Sequence, residues 1–296
     1  MHVLGVGIAT VDVVNRVARY PGEDEEVRAL AQRVSRGGNA TNTLVVLTQL
    51  GHRCRWAGVL GDDASSRIIE SDLARSGVGI VDCVRHPGGT TPTSYVVLSA
   101  ANGSRTIVHF RDLPEYPAAD FQRLPLEDLD WVHFEGRNPA ETAAMLKRLK
   151  QERPGLRVSL ELEKPRRGLE RLLQGPDVLL ISRAYVQARQ AASPEDTMRS
   201  MLRDSTAHVC LLAWGSEGGY AMERGGGFFV SPAFPPGRVL DTLGAGDVFN
   251  AAVIDALGRG LGTAQALERG CRLAGRKCGQ IGLGDLLRTT HGHPNR

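Results

Sequence analysis

Hydrophobic and polar positions follow one another in blocks that predict alternating strands and helices. Val3–Ile8 is a short apolar run of the kind that forms a buried parallel strand. Similar runs predict further strands, and apolar residues at helical spacing predict helices between them. The strands are Arg55–Leu60, Trp131–Glu135, Arg157–Glu161, Asp177–Ile181 and Val209–Ala213; the helices are Asn39–Leu50, Ala64–Ser76 and Pro139–Lys150. This order predicts an α/β fold with a mostly parallel sheet, helices on both faces and ligands at the carboxyl ends of the strands.

Two segments break this rhythm. Asp12–Ser35 is polar and charged, and Thr93–Phe110 alternates around Asn102-Gly103, a strong hairpin signal. These strands predict a small separate sheet, either a lid over an active site or a structural edge hairpin. The division we expect is a core of residues 1–12, 36–90 and 112–296, with a lid of residues 13–35 and 91–111.

Composition excludes several classes of protein. The 296 residues are 42% hydrophobic and 23% charged with a net charge of +3, which indicates an ordinary globular protein and neither a nucleic-acid nor a membrane-surface partner. None of the four lysines precedes Ser or Thr, so a Walker-type phosphate loop is excluded. The five scattered cysteines indicate reduced thiols, and no apolar run or basic leader predicts a membrane span or signal peptide. We therefore expect a cytoplasmic protein.

The segment Asp241–Asp247 (DTLGAGD) carries the strongest chemical signal. It precedes a stretch to Leu257 with apolar residues at helical spacing, so its glycines lie at a helix N-terminus. Free backbone N–H groups and the positive end of the helix dipole attract a phosphate there. Asp247 in the first turn is either a helix-start acid or a base for phosphoryl transfer. The residues alone leave both interpretations open.

The second segment with a chemical signal is Arg36–Asn42 (RGGNATN), a Gly-Gly turn that leads into a helix. Asn39 is a possible N-cap, but this explains neither Asn42 on the same face nor the two glycines. A site for a polyhydroxy ligand explains both amides. Asp12, just past the first strand, is expected at the carboxyl end of that strand, where a carboxylate can bind a pair of hydroxyls.

The chain resembles the ribokinase-like (PfkB) carbohydrate kinases. Gly37–Asn42 and Asp241–Asp247 match the two signatures of that family in the right order, and Gly58–Asp63 resembles its early glycine-acid motif. Glu135–Asn138 and Glu163–Arg166 resemble the ketohexokinase branch more specifically. The resemblance implies a three-layer α/β/α core with a small β-sheet lid, and an ATP-dependent sugar kinase.

The resemblance also implies a role for each matching residue. Asp247 would be the base, with the backbone of Gly244, Ala245 and Gly246 holding the transferred phosphoryl group. The sugar would be bound by Asp12, Gly38, Asn39 and Asn42. ATP would be bound by Arg105, reaching from the lid, and by the residues Gly215, Ser216, Glu217 and Gly218. Mg²⁺ would enter with ATP, and Asp241 would lie beside a monovalent-cation site, which suggests K⁺ activation.

Two sequence features depart from these motifs. The family's Asn-x-x-Glu segment, which organises Mg²⁺-bound water, reads Ser182–Tyr185 here, so Glu161 and Glu135 become candidates for that task. Gly5–Thr10 looks like a dinucleotide-binding G-x-G-x-x-G, but Thr10 replaces the last glycine and no apolar-faced helix follows. We therefore reject a dinucleotide site.

The acceptor we expect is a ketohexose, with transfer to O1 of fructose. The alternatives are a kinase for another sugar or a nucleoside, or a non-catalytic sugar-binding sensor on the same fold. The acidic run Glu23–Glu26 is either a solvated turn or, as the resemblance implies, part of a homodimer clasp. In the clasp, Asp24 of one lid reaches the sugar site of the partner subunit.

Overall fold

The computed structural model describes residues 1–101, 103–189 and 193–287. Asn102 of the predicted hairpin turn and the last residues of the predicted core, 288–296, lie outside this part. In chain order the strands are β1 (His2–Val6), β2 (Thr10–Val17), β3 (Ala31–Gly37), β4 (Arg53–Ala57), β5 (Val59–Leu60), β6 (Val78–Gly79), β7 (Val84–Arg85), β8 (Thr93–Ser99), β9 (Arg105–Phe110), β10 (Trp131–Glu135), β11 (Arg157–Leu162), β12 (Val178–Ser182), β13 (Val209–Ala213), β14 (Gly219–Glu223) and β15 (Phe228–Ser231).

The α-helices, also in chain order, are α1 (Asn39–Gln49), α2 (Ala64–Arg75), α3 (Ala118–Phe121), α4 (Pro139–Glu152), α5 (Arg183–Ala188), α6 (Pro194–Asp204), α7 (Ala245–Gly258) and α8 (Thr263–Cys278). Two 3₁₀ turns cover Leu169–Leu173 and Gly215–Glu217.

Nine strands form the central sheet in the order β15-β14-β13-β12-β11-β10-β1-β4-β6. The pairs from β12-β13 through β4-β6 are parallel, and β14 and β15 add antiparallel strands at one edge. Neighbouring residues of β1 enter opposite cores: Leu4 packs with Phe134 and Leu160, and Val3 packs with Trp131 and Val253. Helices cover both faces, so the predicted α/β/α class is confirmed.

The second sheet has four strands in the order β3-β2-β8-β9, and we call it the lid sheet. The hairpin predicted over Thr93–Phe110 is formed by β8 and β9, which pair antiparallel. Residues 10–12 and 36–37 also pair in this sheet, with Thr10 opposite Gly37 and Asp12 opposite Ser35. The lid sheet therefore extends beyond the predicted segment 13–35 at both of its ends.

Two local expectations are wrong. Asp12 lies on β2, because the polar chain after β1 continues as a lid strand instead of ending in a loop at the edge of the central sheet. The single strand predicted over Arg55–Leu60 is split at Gly58, and β5 pairs with β7 in a separate two-stranded sheet. A Cβ on Gly58 would lie 2.1 Å from the ring of Trp56. The position at which the chain leaves the central sheet therefore has no room for a side chain.

Candidate active site

The N-terminus of α7 is open to an anion. Gly244 caps the helix with φ +83°, a conformation that glycine adopts without strain. The N–H of Ala245 donates to the carbonyl oxygen of Thr242 at 3.3 Å, whereas within the described residues the N–H groups of Gly246 and Asp247 have no acceptor. These free donors and the helix dipole favour a phosphoryl group at this point.

The Asp247 carboxylate is buried in the first turn of α7, with 6% of its surface exposed. Asn42 of α1 donates from Nδ2 to its Oδ2 at 2.7 Å, and Arg36 of β3 donates from Nη1 to the Asn42 Oδ1, also at 2.7 Å. Burial raises the pKa of Asp247 well above its ordinary value; the Asn42 hydrogen bond opposes the rise and the charges of Glu163 and Glu135 add to it. A carboxylate in this setting binds a proton more readily than a solvated one, as a base must.

A second buried carboxylate lies close by at the end of β11. Glu161 accepts hydrogen bonds at Oε1 from Asn39 Nδ2 (3.2 Å) and Asn250 Nδ2 (3.0 Å), while its buried Oε2 has no partner among the described residues. Burial, followed by the charge of Asp247, raises the pKa of Glu161. Its neighbour Glu135 is already engaged, since it accepts from the N–H of Ile8 at 3.0 Å and from Arg137 Nε at 2.5 Å.

Sequence reasoning missed two polar members of this cluster. In the sequence, Arg36 stands out only as part of a Gly-Gly turn, and Asn250 lies within the helical stretch after Asp247. Asn250 lies three residues after Asp247 on the same face of α7, and both are polar among mostly apolar buried residues of this helix. That spacing is the signal that could have identified it.

Among the predicted sugar-binding residues, Asn42 contacts the Asp247 carboxylate and Asn39 contacts Glu161. Asn39 begins α1 and is not its cap, because Gly38 occupies that position with φ +106°. A Cβ on Gly38 would lie 2.3 Å from the Ile8 carbonyl oxygen, so only glycine fits there. Asp12 accepts from Thr10 Oγ1 at 2.9 Å and lines, with Asn42 and Asp241, a cleft of about 650 Å³.

The lid sheet contacts the loop before α7. Arg105, the first residue of β9, donates from Nη1 to Thr242 Oγ1 at 3.0 Å. A lid arginine is thereby placed two residues from the helix cap Gly244. Ser182, in the segment that departs from the family motif, caps α5 by accepting from the Tyr185 N–H at 3.0 Å, which is a structural task.

The other predicted residues lie apart from this cluster. Gly215–Glu217 forms a 3₁₀ turn directly after β13, where Glu217 pairs with Arg183 at 3.2 Å. A Cβ on Gly218 would lie 2.1 Å from the Ser231 carbonyl oxygen, so this turn also needs glycine. Asp24 lies in an exposed turn of the lid with φ +59°, and no hydrogen bond joins it to the cluster within the described ranges.

Asp241 is not a free ligand for a monovalent cation. Its Oδ1 accepts from the N–H of Leu243 at 2.9 Å, and its Oδ2 accepts from the N–H of Gly282 at 3.0 Å. Lys277 Nζ and Arg33 Nη2 also lie 3.2 and 3.3 Å from Oδ2. Burial alone would raise the pKa of Asp241, but the Gly282 hydrogen bond and the Lys277 charge outweigh burial and lower it. Asp241 Oδ2 is therefore shared by two cationic side chains, and Oδ1 is engaged by the Leu243 N–H.

Neither a metal cage nor a membrane span is found in the described part of the chain. No three His, Cys, Asp or Glu side chains there are grouped so as to hold a metal ion. No helix there is both long and apolar enough to cross a bilayer.

Comparisons with known proteins agree with this geometry. The model of the pfkB family carbohydrate kinases matches residues 2–290. Ketohexokinase of Mus musculus is 38% identical, with 97% of this chain and 99% of that protein covered. For 1-phosphofructokinase of Rhodobacter capsulatus the identity is 28%, with 93% and 91% covered.

A solved structure shows the same fold. It is that of a putative ribokinase from Agrobacterium tumefaciens, which superposes with a TM-score of 0.81 at 22% identity, with 95% of this chain and 92% of that chain covered. The family match spans nearly the whole chain, and its two signature segments meet at the Asp247 carboxylate. The chain therefore belongs to the pfkB family of carbohydrate kinases and is an ATP-dependent sugar kinase.

Proposed function

We propose that this kinase transfers the γ-phosphoryl group of ATP to a ketohexose, and specifically to O1 of fructose. The observation that carries the choice of acceptor is the similarity to a ketohexokinase, which extends over almost the full length of both chains. The Glu135–Asn138 and Glu163–Arg166 segments support the same branch of the family.

Asp247 is the base in this proposal. It accepts the proton of the sugar hydroxyl while the hydroxyl oxygen forms a bond to the γ-phosphorus and the bond from that phosphorus to the ADP oxygen breaks. The proton remains on Asp247 until the products leave. The free N–H groups of Gly246 and Asp247, at the N-terminus of α7, stabilise the charge on the transferring group. The Gly244 cap and Ala245 shape the turn that exposes them.

Mg²⁺ enters as part of the ATP substrate, because kinases of this type use ATP, generally with Mg²⁺. The metal neutralises phosphate charge when it is bound. The residue that fits a role toward it is Glu161, whose buried Oε2 has no partner among the described residues. Glu135 fits less well, since both of its oxygens accept hydrogen bonds.

The remaining predicted residues position the two substrates. Asp12, Asn39 and Asn42 bind sugar hydroxyls, and Gly38 lets the ligand approach the backbone. Arg105 binds the ATP phosphates from the lid, which its contact with Thr242 supports. The nucleoside end of ATP lies against the turn made by Gly215, Ser216, Glu217 and Gly218.

We also propose that two subunits associate through their lids. Val34, Val13, Tyr95 and Val108 stand opposite one another across all four strands of the lid sheet. Val34 is 48% exposed, Tyr95 52% and Val108 67%. A continuous apolar row on a sheet face is typical of an interface, and a second copy of the same face is complementary to it.

The direct test is to incubate the protein with Mg²⁺-ATP and a panel of ketohexoses, aldoses and nucleosides. The phosphorylated carbon is then assigned by ¹H–³¹P NMR, with Asp247→Asn as the control for contaminating kinases. Fructose 1-phosphate as the preferred product supports the proposal. Preference for a nucleoside or an aldose, or transfer to another carbon of fructose, contradicts the choice of acceptor. Binding without turnover of any compound contradicts catalysis.

A further inference from the structure

A buried lysine lies under the loop that leads into α7. Lys277, the penultimate residue of α8, is 0% exposed, whereas the other three lysines of the chain all reach solvent. A lysine with no exposed surface needs partners for its ammonium group, because an uncompensated buried charge is costly.

Three oxygens supply this compensation. Lys277 Nζ donates to the backbone carbonyl of Asp241 at 2.7 Å and to that of Gln280 at 3.4 Å. It also lies 3.2 Å from the Asp241 carboxylate. Two carbonyl oxygens and one carboxylate oxygen therefore converge on a single positive charge, which is the kind of oxygen cluster that would otherwise hold a monovalent metal ion.

A metal ion added at this place would meet the Lys277 ammonium group, and the carboxylate oxygen beside that group is already engaged. The Asp241 Oδ2 that faces Lys277 also accepts from Gly282 and contacts Arg33. Two cationic side chains thus share the one carboxylate, and like charges at such separations repel. The residues present do not fit the K⁺ site that the family resemblance implies.

The ammonium also holds the catalytic segment in place. The N–H groups of Leu240 and Asp241 donate to the Cys278 carbonyl at 2.8 and 3.3 Å, next to Lys277 at the C-terminus of α8. Asp241 in turn fixes the N–H of Leu243, one residue before the Gly244 cap. Displacement of Asp241 would therefore be transmitted to the turn that presents Gly246 and Asp247.

We propose that Lys277 is a built-in cation: its ammonium group does the positioning work of a bound monovalent ion, so the kinase needs no K⁺. Lys277 acts through the loop 241–244 and touches neither substrate. The proposal rests on the ATP-dependent phosphoryl transfer of the family and does not depend on which sugar is the acceptor.

The first test uses the unaltered protein. Thermal unfolding without substrates, and turnover with Mg²⁺-ATP, are measured in potassium chloride and in tetramethylammonium chloride at equal ionic strength. We expect the same unfolding midpoint and the same kcat in both salts. A saturable rise of either quantity with K⁺, absent for Li⁺, overturns the proposal. Because the unfolding measurement needs no turnover, a wrong choice of acceptor cannot imitate this result.

The second test removes the ammonium. Lys277→Ala leaves a cavity lined by the same oxygens, and we expect kcat to fall by about 10²-fold, the size of effect that misplacement of a catalytic group produces. Potassium or ammonium ions should then restore part of the kcat and raise the unfolding midpoint saturably. Lys147→Ala, at an exposed lysine of α4, is the matched control and should behave as wild type in every salt.

A folded Lys277→Ala protein with unchanged kcat, or one that regains neither property with any of these cations, overturns the proposal. Lys277→Met fills the cavity with an uncharged side chain. This variant therefore separates the effect of lost side-chain volume from the effect of lost charge. We expect it to lose kcat without responding to K⁺. If Lys277→Ala does not fold, the wild-type comparison and Lys277→Met still decide the question.

Discussion

Asn42 joins the two signature segments of the chain through a single carboxamide. It donates to Asp247 Oδ2 at 2.7 Å and accepts from Arg36 at 2.7 Å, so it links α1 to the Asp247 carboxylate of α7. Asp247 Oδ2 accepts this hydrogen bond, so in the proposed mechanism Oδ1 would take the proton of the acceptor hydroxyl.

Asp247→Asn should abolish most of the turnover. The amide cannot take a proton, so we expect kcat to fall by about 10²-fold or more, the range for loss of a general base. ATP binding, measured by calorimetry, should be retained. Asp255→Asn makes the same chemical change two turns later in α7 and should leave most of kcat intact. Comparable kcat values for wild type and a folded Asp247→Asn protein would contradict the assignment.

The same substitution should stabilise the fold. Because burial raises the pKa of Asp247, the folded state binds this proton more tightly than the unfolded state, whose Asp pKa is about 3.9. The free energy of unfolding therefore falls as pH rises from that value through the folded-state pKa. Asp247→Asn removes this loss, so its unfolding midpoint at neutral pH should exceed that of wild type, with the difference shrinking on acidification.

Differential scanning calorimetry across this pH range checks the prediction. Asp255→Asn is again the matched control. This substitution should lower the unfolding midpoint, because it weakens the hydrogen bonds that Asp255 accepts from His52 at 2.8 Å and Arg259 at 2.6 Å. A lower midpoint for Asp247→Asn than for wild type at neutral pH would show that the buried carboxylate stabilises the fold.

The pH dependence of turnover should respond to Arg36. If Asp247 is the base, its ionised form is the active one, and kcat should fall as pH drops through its pKa. The Arg36 charge lowers that pKa. Arg36→Met removes this charge, so the acid limb should move to higher pH.

Asp72→Asn is the control for Arg36→Met. Asp72 accepts from Arg36 Nε at 2.6 Å, so the variant alters the surroundings of the arginine but keeps its charge beside Asn42. Its acid limb should not move upward. Coincident limbs for wild type and Arg36→Met would mean that Arg36 does not act on the Asp247 carboxylate.

The segments that are continuous in sequence could be predicted, whereas contacts between distant residues could not. The Asp241–Asp247 pattern identifies the start of α7 and predicts an anion site there, because the glycines, the acid and the apolar face follow in one stretch. Lys277 gives no such signal, since a lysine near a helix C-terminus is ordinarily a solvated residue that favours the helix dipole. Its burial arises only when α8 packs beside the loop at Asp241, which is more than 30 residues earlier in the chain.

The place of Asp12 in the fold also depends on contacts that are distant in sequence. A polar residue after a buried strand can end that strand or enter a new one, and the choice depends on the partner strand. Here β3 and β8 lie on either side of β2 and pair with it along its length. Neither partner is adjacent to Asp12 in sequence, so the residue at which this strand begins could not be predicted, whereas a small separate sheet was.

Arg105→Ala should weaken the binding of ATP more than the binding of the sugar. If the guanidinium binds phosphate oxygens, the loss of a charge-assisted contact should raise the KM for ATP by about tenfold, with little change in the KM for the sugar. Arg105→Lys keeps the charge and should have a smaller effect. Arg16→Ala removes another exposed arginine of the lid sheet and should change neither constant. Parallel increases in both KM values for Arg105→Ala would indicate a disordered lid instead.

The last prediction concerns Asp24, which we propose acts in the partner subunit. Its turn lies outside the cluster around Asp247, and its neighbour Glu25 pairs with Arg19 within the same lid. Burial of the apolar row Val34–Val13–Tyr95–Val108 against a second copy would bring two lids together. Asp24→Ala should then raise the KM for the sugar and leave the KM for ATP unchanged, whereas Glu23→Ala, in the same acidic run, should leave both unchanged.

Mixed dimers distinguish action in the partner subunit from action within one chain. Asp24→Ala and Asp247→Asn chains are co-expressed with different affinity tags, and the heterodimer is isolated through both tags. If Asp24 serves the partner, the site that contains Asp247 receives an intact Asp24 from the other chain, while the second site lacks both groups. The heterodimer then has one site with the wild-type KM for the sugar, and its kcat per dimer is about half of the wild-type value. If Asp24 serves its own chain, the only site with a base lacks Asp24, and the raised sugar KM persists. That persistence, or sedimentation of the wild-type protein as a monomer at assay concentration, rules out the shared site.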